Sequence, residues 1–414
     1  MPDSAYPVTT TGRDAALRER ARQVIPGGLW GHLNAANLPS GYPQYYARAK
    51  GCRLWDVDGR EFVDFMSSWG PIVLGHHHPL VEEAARRQAE LGDCMNGPGP
   101  VLVELAERLV GTIPHADWCL LAKNGTDATT ACVTIARAGT GRRKVLVARG
   151  SYHGAVPWCS PSIAGVTAED RAHLIFYDYN DIASVEAAVA KAGDDLAAIL
   201  VTAFRHDMAR ALELPDVAFA RSLRALCDHA GAALIVDDVR AGFRLDMGGS
   251  WETVGVRPDL AAYSKAIANG HPLAAVTGAE WLRQPATKVY TTGSFWCGAV
   301  PMAAAVATLD ELRRIDGPAR MKAMGERLRA GWAAGAARHG VAVRQTGPAQ
   351  MPLMLFEGDV GFRLGDAFCA AALAAGAYFH PRHNMFLNCA HTESDVDRAL
   401  QASDAGFAAV ARLG

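Results

Sequence analysis

The chain has 414 residues, more than a single hydrophobic core usually supports, so two domains or one large domain with an appendage are expected. Half of the residues are hydrophobic and a fifth are charged, the composition of an ordinary globular protein. A formal net charge of −2 leaves no basic field for nucleic acid or an anionic membrane surface, and no apolar run approaches the ~20 residues of a membrane span.

The chain opens on MPDSAYPVTTTGRD, which is polar and lacks the apolar stretch of a secretory signal; a cytoplasmic location is the expectation. Residues 14–25 read as a helix stopped by Pro26. YYARAKGCRLWDVDGREFVDF alternates apolar positions around Asp58-Gly59, the signal of a hairpin. From residue 79 to about 295, helical segments alternate with short apolar strands: VEEAARRQAEL and VLVELAERLVGTI are helical, CLLA is a strand, DATTACVTIARAG a helix, and KVLVA, LAAILVTA and AALIVDDV further strands. Strands separated by helices point to a parallel sheet covered on both faces. From residue 296 come the helices PMAAAVATLDELRRI and MKAMGERLRAGWAAGAARHG and then short strands, which suggests an α+β lobe. The nine cysteines include no C-x-x-C pair and read as reduced thiols, not as a disulfide framework or a zinc site, with Cys297 set apart in a glycine-containing loop.

Four stretches carry chemistry. AKNGTDATTACVTIARA (122–138) follows a strand and opens a helix, so its turn offers backbone N–H groups, a hydroxyl and a positive helix end to a phosphate; capping by Thr126 or Asp127 fits the same residues. RGSYHGAV (149–156) puts Tyr152 in a loop where it can stack on a flat ligand. LIVDDVRAGFR (234–244) ends a buried strand on an acid, which needs a cation or a proton-bearing ring as partner; Arg244 or solvent are the simpler partners. Strand alternation puts Asp237 and Val239 on one face and Asp238 and Arg240 on the other. Last, AYSKAIANGHP (262–272) holds a lone amine, Lys265. The run LGHHHP (74–79) is not read as a metal site, since neighbouring histidines do not readily converge on one ion and no acidic or cysteine partner is near. A phosphate turn, a ring stacker, an acid for a ring nitrogen and an amine, at the ends of successive strands, together describe a pyridoxal 5'-phosphate (PLP) site.

With QVIPGG, SSWGPIVLGHHHP, NGTDAT, VDDVRAGFR, SKAIANG, TTGSF and AHTESDVDRAL in this order, the chain resembles the class III, fold-type I aminotransferases, nearest to the glutamate-1-semialdehyde aminomutase branch. The resemblance implies an α/β fold whose large domain has a mostly parallel seven-stranded sheet sandwiched by helices, with a smaller α+β domain built from both termini. The corresponding division is 1–60, an N-terminal segment of the small domain; 61–295, the large PLP-binding domain; and 296–414, the C-terminal small domain. It also implies roles. Lys265 would be the Schiff-base lysine and proton carrier, Asp237 the partner of the pyridine nitrogen, Tyr152 and Val239 the two faces of the ring's slot, and Gly125 and Thr126 the phosphate cup. Ser294, after Gly293, would reach the phosphate of a partner subunit, making the protein a homodimer with shared active sites.

Departures from the branch bear on the substrate. Its N-terminal pattern ends in an Arg that binds the substrate carboxylate, whereas GGLWGHLN (27–34) ends in Asn34, and an amide does not replace a bidentate cation. Thr202-Ala203 replaces a Glu-Pro, Asp238 a Glu, and SFWCGAVP brings in Trp296. The mouth is then expected to present Trp30, His32, Asn34, Trp69 and Trp296, suited to a cyclic, hydroxyl-rich or amino-bearing substrate such as an amino sugar; packing of a dimer interface would use the same tryptophans. Arg205 and Arg382 are the candidate replacement cations, Arg240 being turned away by strand alternation. The expected activity is transfer of an amino group to a carbonyl acceptor, of the aminoglycoside kind found in antibiotic biosynthesis. An isomerase, either an aminomutase or an amine epimerase, is the alternative on the same lysine.

Overall fold

The computed structural model describes residues 12–413. After a helix at Arg13–Val24, three antiparallel strands, β1 (Tyr46–Lys50), β2 (Arg53–Asp56) and β3 (Glu61–Asp64), form a meander with Asp58-Gly59 in the β2–β3 turn, as the alternation predicted. The two-residue strand β13 (Ala377–Tyr378) adds to β3 in parallel, so the sheet joins the two ends of the chain. A boundary at residue 60 therefore falls inside a paired unit: β3 belongs with β2. β11 (Val343–Thr346) and β12 (Leu353–Phe356) form a separate hairpin in the same C-terminal region.

Between these parts lies a seven-stranded sheet: β4 (Trp118–Ala122), β5 (Lys144–Ala148), β6 (Leu174–Tyr177), β7 (Leu196–Thr202), β8 (Ala233–Asp237), β9 (Leu260–Tyr263) and β10 (Ala274–Gly278), in the order β4-β10-β9-β8-β7-β5-β6. Only β10 pairs antiparallel with its neighbours. Every residue of β7, LAAILVT, is buried, because helices cover both faces and the strand has no solvent side on which to place polar residues. The helix Ala299–Arg314 packs on the helices Pro79–Leu91 and Val101–Thr112, so the chain after residue 296 first adds to the large domain's cover before it enters the small one. Among the described residues no helix is long and apolar enough to cross a membrane.

The register aligns Thr202 with Asp237 and Asp237 with Ala262, so the ends of β7, β8 and β9 lie side by side. Lys265 follows β9 by two residues. The strand-end acid and the lysine are thus neighbours at the carboxyl edge of the sheet, where ligands bind in open α/β folds.

Candidate active site

The loop after β4 enters the helix Gly125–Thr140 through Asn124, whose extended backbone and side-chain oxygen cap the amide of Asp127 at 3.1 Å, while Asp127 accepts from the amide of Asn124 at 3.3 Å. This reciprocal cap is Asn124 with Asp127, not Thr126. It leaves the amides of Gly125 and Thr126 as helix-end donors without intrahelical partners. A side chain at residue 125 would place its Cβ 2.8 Å from Val239, and one at Gly154 would place it 2.6 Å from the Thr126 hydroxyl. Gly125, Thr126, Val239 and the loop at 154 therefore meet in close contact, and Tyr152, two residues before Gly154, is 45% exposed.

Asp237 is buried and doubly held: one oxygen accepts from the Val239 amide at 3.1 Å, and the other lies 2.7 Å from His153 Nδ1. His153 is itself buried, and its carbonyl accepts from the Thr129 hydroxyl at 2.7 Å, which fixes the ring's position. Arg244 is not the acid's partner. Its buried guanidinium donates to the carbonyls of Gly70, Ile72 and Leu387 at 2.5–2.7 Å. Asp238 points the other way, accepts from the Ser250 amide at 2.8 Å, and is pushed up to about 6 by burial.

Lys265 begins the turn after β9 in a left-handed conformation, φ +46°, uncommon for a residue with a side chain and typical of strained functional positions. Burial, then the charge of Arg240, brings its amine down to about 7, against the opposing pull of Asp237. The amine donates to the Trp69 carbonyl at 3.1 Å. Asn269 anchors the turn: its oxygen accepts from the amides of Val73 and Leu74 at 2.9 and 2.8 Å, and its amide group donates to the Gly75 carbonyl at 2.9 Å.

Around the amine lies a wall of imidazole and indole. Trp69 makes edge contacts with His32 (centroids 4.6 Å apart), His383 (4.9 Å) and His380 (5.2 Å). Burial pushes His380 down to about 3 and His383 well below the usual imidazole range, so both are neutral at pH 7. Of the expected mouth residues, His32 and Trp69 come together beside Lys265. Asn34 instead serves its own loop, donating to the Leu29 carbonyl at 3.0 Å and accepting from the Ala36 amide at 3.0 Å. Trp30 is 68% exposed, and Trp296 folds back on its own loop, its amide bonded to the Gly293 carbonyl at 2.9 Å; Ser294 is exposed beside it.

Both expected replacement cations are already engaged, Arg205 with Asp207 and Glu213 and Arg382 with Asp366. The cation at the site is Arg240, contrary to the alternation argument. β8 ends at Asp237 and the chain turns, the Gly242 amide bonding back to the Asp238 carbonyl at 2.9 Å, so strand periodicity does not extend to residue 240. Arg240 reaches His383 Nε2 at 2.9 Å and the Asn384 side-chain oxygen at 3.0 Å. His153, Arg240, His380 and His383 are site residues that sequence reasoning missed; only His153, next to Tyr152 in the aromatic loop, carried a local signal. Among the described residues no cluster of three metal-ligating side chains exists, and His76 of the histidine run pairs with Asp64 at 2.9 Å.

The donor set fits PLP on its own chemistry: a side-chain-free helix start for a phosphate, an oriented buried carboxylate for a ring nitrogen, and an amine that burial brings down to about 7. Fold and site together define a fold-type I PLP enzyme. Comparison with known proteins narrows this. A family model described as aminotransferase class-III matches residues 37–392. An aminopentol aminotransferase of Sphingopyxis macrogoltabida is 47% identical over 400 residues, covering 97% of this chain and 95% of that protein. A glutamate-1-semialdehyde 2,1-aminomutase of Syntrophobacter fumaroxidans is 33% identical, covering 98% and 99%. The PLP internal aldimine form of the FumI protein of Sphingopyxis sp. MTA144 superposes with a TM-score of 0.96 at 47% identity over 97% of both chains. An omega-transaminase from Sphaerobacter thermophilus follows at 0.88 and 25% identity, over 97% of this chain and 98% of its own. The chain belongs to the class-III aminotransferases, and it is a PLP-dependent enzyme that transfers amino groups.

Proposed function

We propose that the amine handled by this enzyme is a hydroxyl-rich primary amine of secondary metabolism with no carboxylate beside the reacting carbon, and that the working unit is a homodimer. The observation that carries the substrate reading is the wall beside Lys265: Trp69 edged by His32, His380 and His383, with Asn34 tied into its own loop where the aminomutase branch keeps a carboxylate-binding arginine. His383 uses both ring nitrogens on Arg240 and the Asn384 carbonyl, and His380 Nδ1 accepts from the Arg382 amide, so the ring nitrogens of His32 and Nε2 of His380 are the ones that match hydroxyl groups, and indole edges suit the carbon skeleton between them. The 47% identical relative supports this, since the name aminopentol denotes an amine bearing five hydroxyls. An aminoglycoside-type sugar amine meets the same description.

When bound, PLP supplies an electron sink for the carbon that loses its proton. Lys265, its amine neutral above about pH 7, removes and returns that proton from a fixed position beside Trp69. Asp237, its orientation set by His153 and the Val239 amide, would hold a proton on the pyridine nitrogen. Gly125, Thr126 and, in this proposal, Ser294 of the partner subunit would hold the phosphate, and Tyr152 and Val239 would hold the ring.

The reading is tested with a panel of amines and with glutamate-1-semialdehyde. Polyhydroxylated and sugar amines should be consumed with a carbonyl acceptor, and 5-aminolevulinate should form little or not at all, because that substrate's carboxylate lies two methylenes from its amine-bearing carbon and Asn34 offers it no charge. Efficient 5-aminolevulinate formation without net use of an amino donor would replace this proposal with the aminomutase.

A further inference from the structure

The site is assembled from separate parts of the chain, and one buried side chain ties two of them together. Trp69 comes from the segment after β3, His380 and His383 from the C-terminal lobe, and Lys265 from the turn after β9. The first two segments run side by side. Backbone bonds join them at both ends, the Phe386 amide to the Phe65 carbonyl and the Cys389 amide to the Val73 carbonyl, each at 2.7 Å. Between those ends, among the described residues, side chains carry the hydrogen bonds. On one side the Ser67 hydroxyl donates to the Phe386 carbonyl at 3.3 Å and accepts from Asn388 Nδ2 at 3.0 Å. On the other is Arg244, wholly buried on the turn that follows β8. One of its terminal nitrogens donates to the Leu387 carbonyl at 2.5 Å and the other to those of Gly70 and Ile72 at 2.5 and 2.7 Å, with the Phe386 ring 5.1 Å from its central carbon.

These bonds bear on the lysine. Gly70 lies in a narrow slot, where a Cβ would stand 3.0 Å from the Phe386 ring and 3.3 Å from Lys265 Cδ. The carbonyl just before it, that of Trp69, accepts from the Lys265 amine. Any shift of Gly70 relative to Phe386 therefore carries with it both the acceptor on which the amine rests and the indole that faces the histidines. A guanidinium can serve three converging carbonyls from one fixed plane, and without it those buried oxygens lose their partners. We propose that Arg244 is a positioning residue: from within the core it fixes the Trp69–Gly70 backbone against the Phe386–Leu387 segment, and so sets both the place of the Lys265 amine and the fit of Trp69 to His380 and His383. It acts through these groups and touches no reacting atom itself. The part that concerns the lysine stands on the transfer activity alone; the part that concerns the wall rests on the hydroxyl reading of the proposed function.

A residue that only stabilised the fold would lower the melting temperature and the number of working sites, so the test reads what each intact site does. Serinol and isopropylamine share a carbon skeleton and differ only in hydroxyls. Each is mixed with the PLP-loaded enzyme, and the loss of cofactor absorbance is followed and divided by the cofactor bound. In Arg244→Met both rates per loaded site should fall about tenfold, because a misplaced base removes the proton more slowly, and the advantage of serinol should shrink about fivefold further, roughly what one hydrogen bond contributes. Arg244→Lys should recover part of both losses, since an ammonium keeps the donors but not the fork. Gly70→Ala crowds the same backbone with Arg244 intact and should also reduce the advantage of serinol. A readout that needs no turnover is the labelling of Lys265 by an amine-directed reagent across pH in the cofactor-free protein. Arg240, Asp237 and Arg244 act on that amine, and His32, His206 and His383 sense its charge. Removing the Arg244 cation should move the labelling midpoint to higher pH. Unchanged rates per loaded site with an unmoved midpoint overturn the proposal and leave Arg244 a residue of the fold alone. If Arg244→Met does not fold, an undiminished preference for serinol in both Arg244→Lys and Gly70→Ala overturns it. A wild type with no preference for serinol defeats the hydroxyl reading of the wall, while the per-site rates and the midpoint still decide the role of Arg244.

Discussion

At the scale of single residues, the reactivity of the site rests on how two like charges share a small volume. Lys265 and Arg240 are both in surroundings that disfavour cations, and only Lys265 can shed its proton at neutral pH. Its ordinary value is 10.5, and burial followed by Arg240 brings it to about 7 in the folded chain. The sign follows directly: above about pH 7 the folded protein carries a neutral, nucleophilic amine while the unfolded chain keeps its proton up to 10.5, so this group's contribution to stability falls as pH drops from 10.5 to about 7 and is level below that. The rate at which the cofactor-free protein captures PLP, followed by absorbance, should therefore rise with pH and level off above about 7. Arg240→Met removes the second cause of the lowering and should move that midpoint to higher pH. A midpoint that stays where it was would mean that the guanidinium does not act on the amine.

Elements matter because the lysine sits on a short turn whose conformation needs outside support. Ser67, Ser68 and Trp69 have φ of +47, +55 and +64°, and Lys265 and Asn269 have +46 and +44°, so two left-handed segments face each other across the amine. Such backbone persists only where neighbours hold it. Asn269 is the link: it is buried, tolerates the left-handed region through its short polar side chain, and satisfies two amides and one carbonyl of the 73–75 segment. Asn269→Ala should cost about 2–4 kcal/mol by leaving those buried groups unpaired, read as a lower melting temperature and a faster loss of bound PLP. Asn269→Gly, which loses the same bonds without the left-handed strain, should lose less; no change in either variant would show that the turn stands without this tie. Sequence alone made Asn269-Gly270 look like loose punctuation, and the difference is instructive. The sheet was legible because its strands are buried on both faces and read as apolar runs, and Asp237 and Lys265 were legible because an acid and an amine at the ends of such runs need a reason. The short strands LIFY, LAAY and AAVTG and the two-residue β13 escaped, being too brief to show a period. Arg240 escaped because alternation holds only while a strand lasts. His380 and His383 escaped because they arrive from a lobe more than a hundred residues further along the chain, with no local pattern to announce them.

The whole molecule poses the question of the second subunit. In the single chain the segment that would carry the borrowed phosphate ligand stands outward: Tyr290 is 91% exposed, Phe295 64%, and Ser294 is exposed between Gly293 and Phe295. Trp30, expected at the mouth, is likewise 68% exposed. Apolar side chains left in water on a loop that also bears the expected hydroxyl are what a closed twofold interface would cover. The proposed dimer makes a sharp genetic statement, because each site would take Lys265 from one chain and Ser294 from the other. Lys265→Ala homodimers lack the amine in both sites, and Ser294→Asp homodimers place a negative charge against the phosphate in both. A mixed dimer, however, collects both lesions in one site and leaves the other intact. After exchange of equal amounts, half of the dimers are mixed and one of their two sites works, so activity should return to about a quarter of the wild-type value from two nearly inactive parents. Subunit exchange is verified separately with two distinguishable tags. Recovery above both parents requires that Ser294 act across the interface, whereas a flat result after proven exchange would confine each site to its own chain.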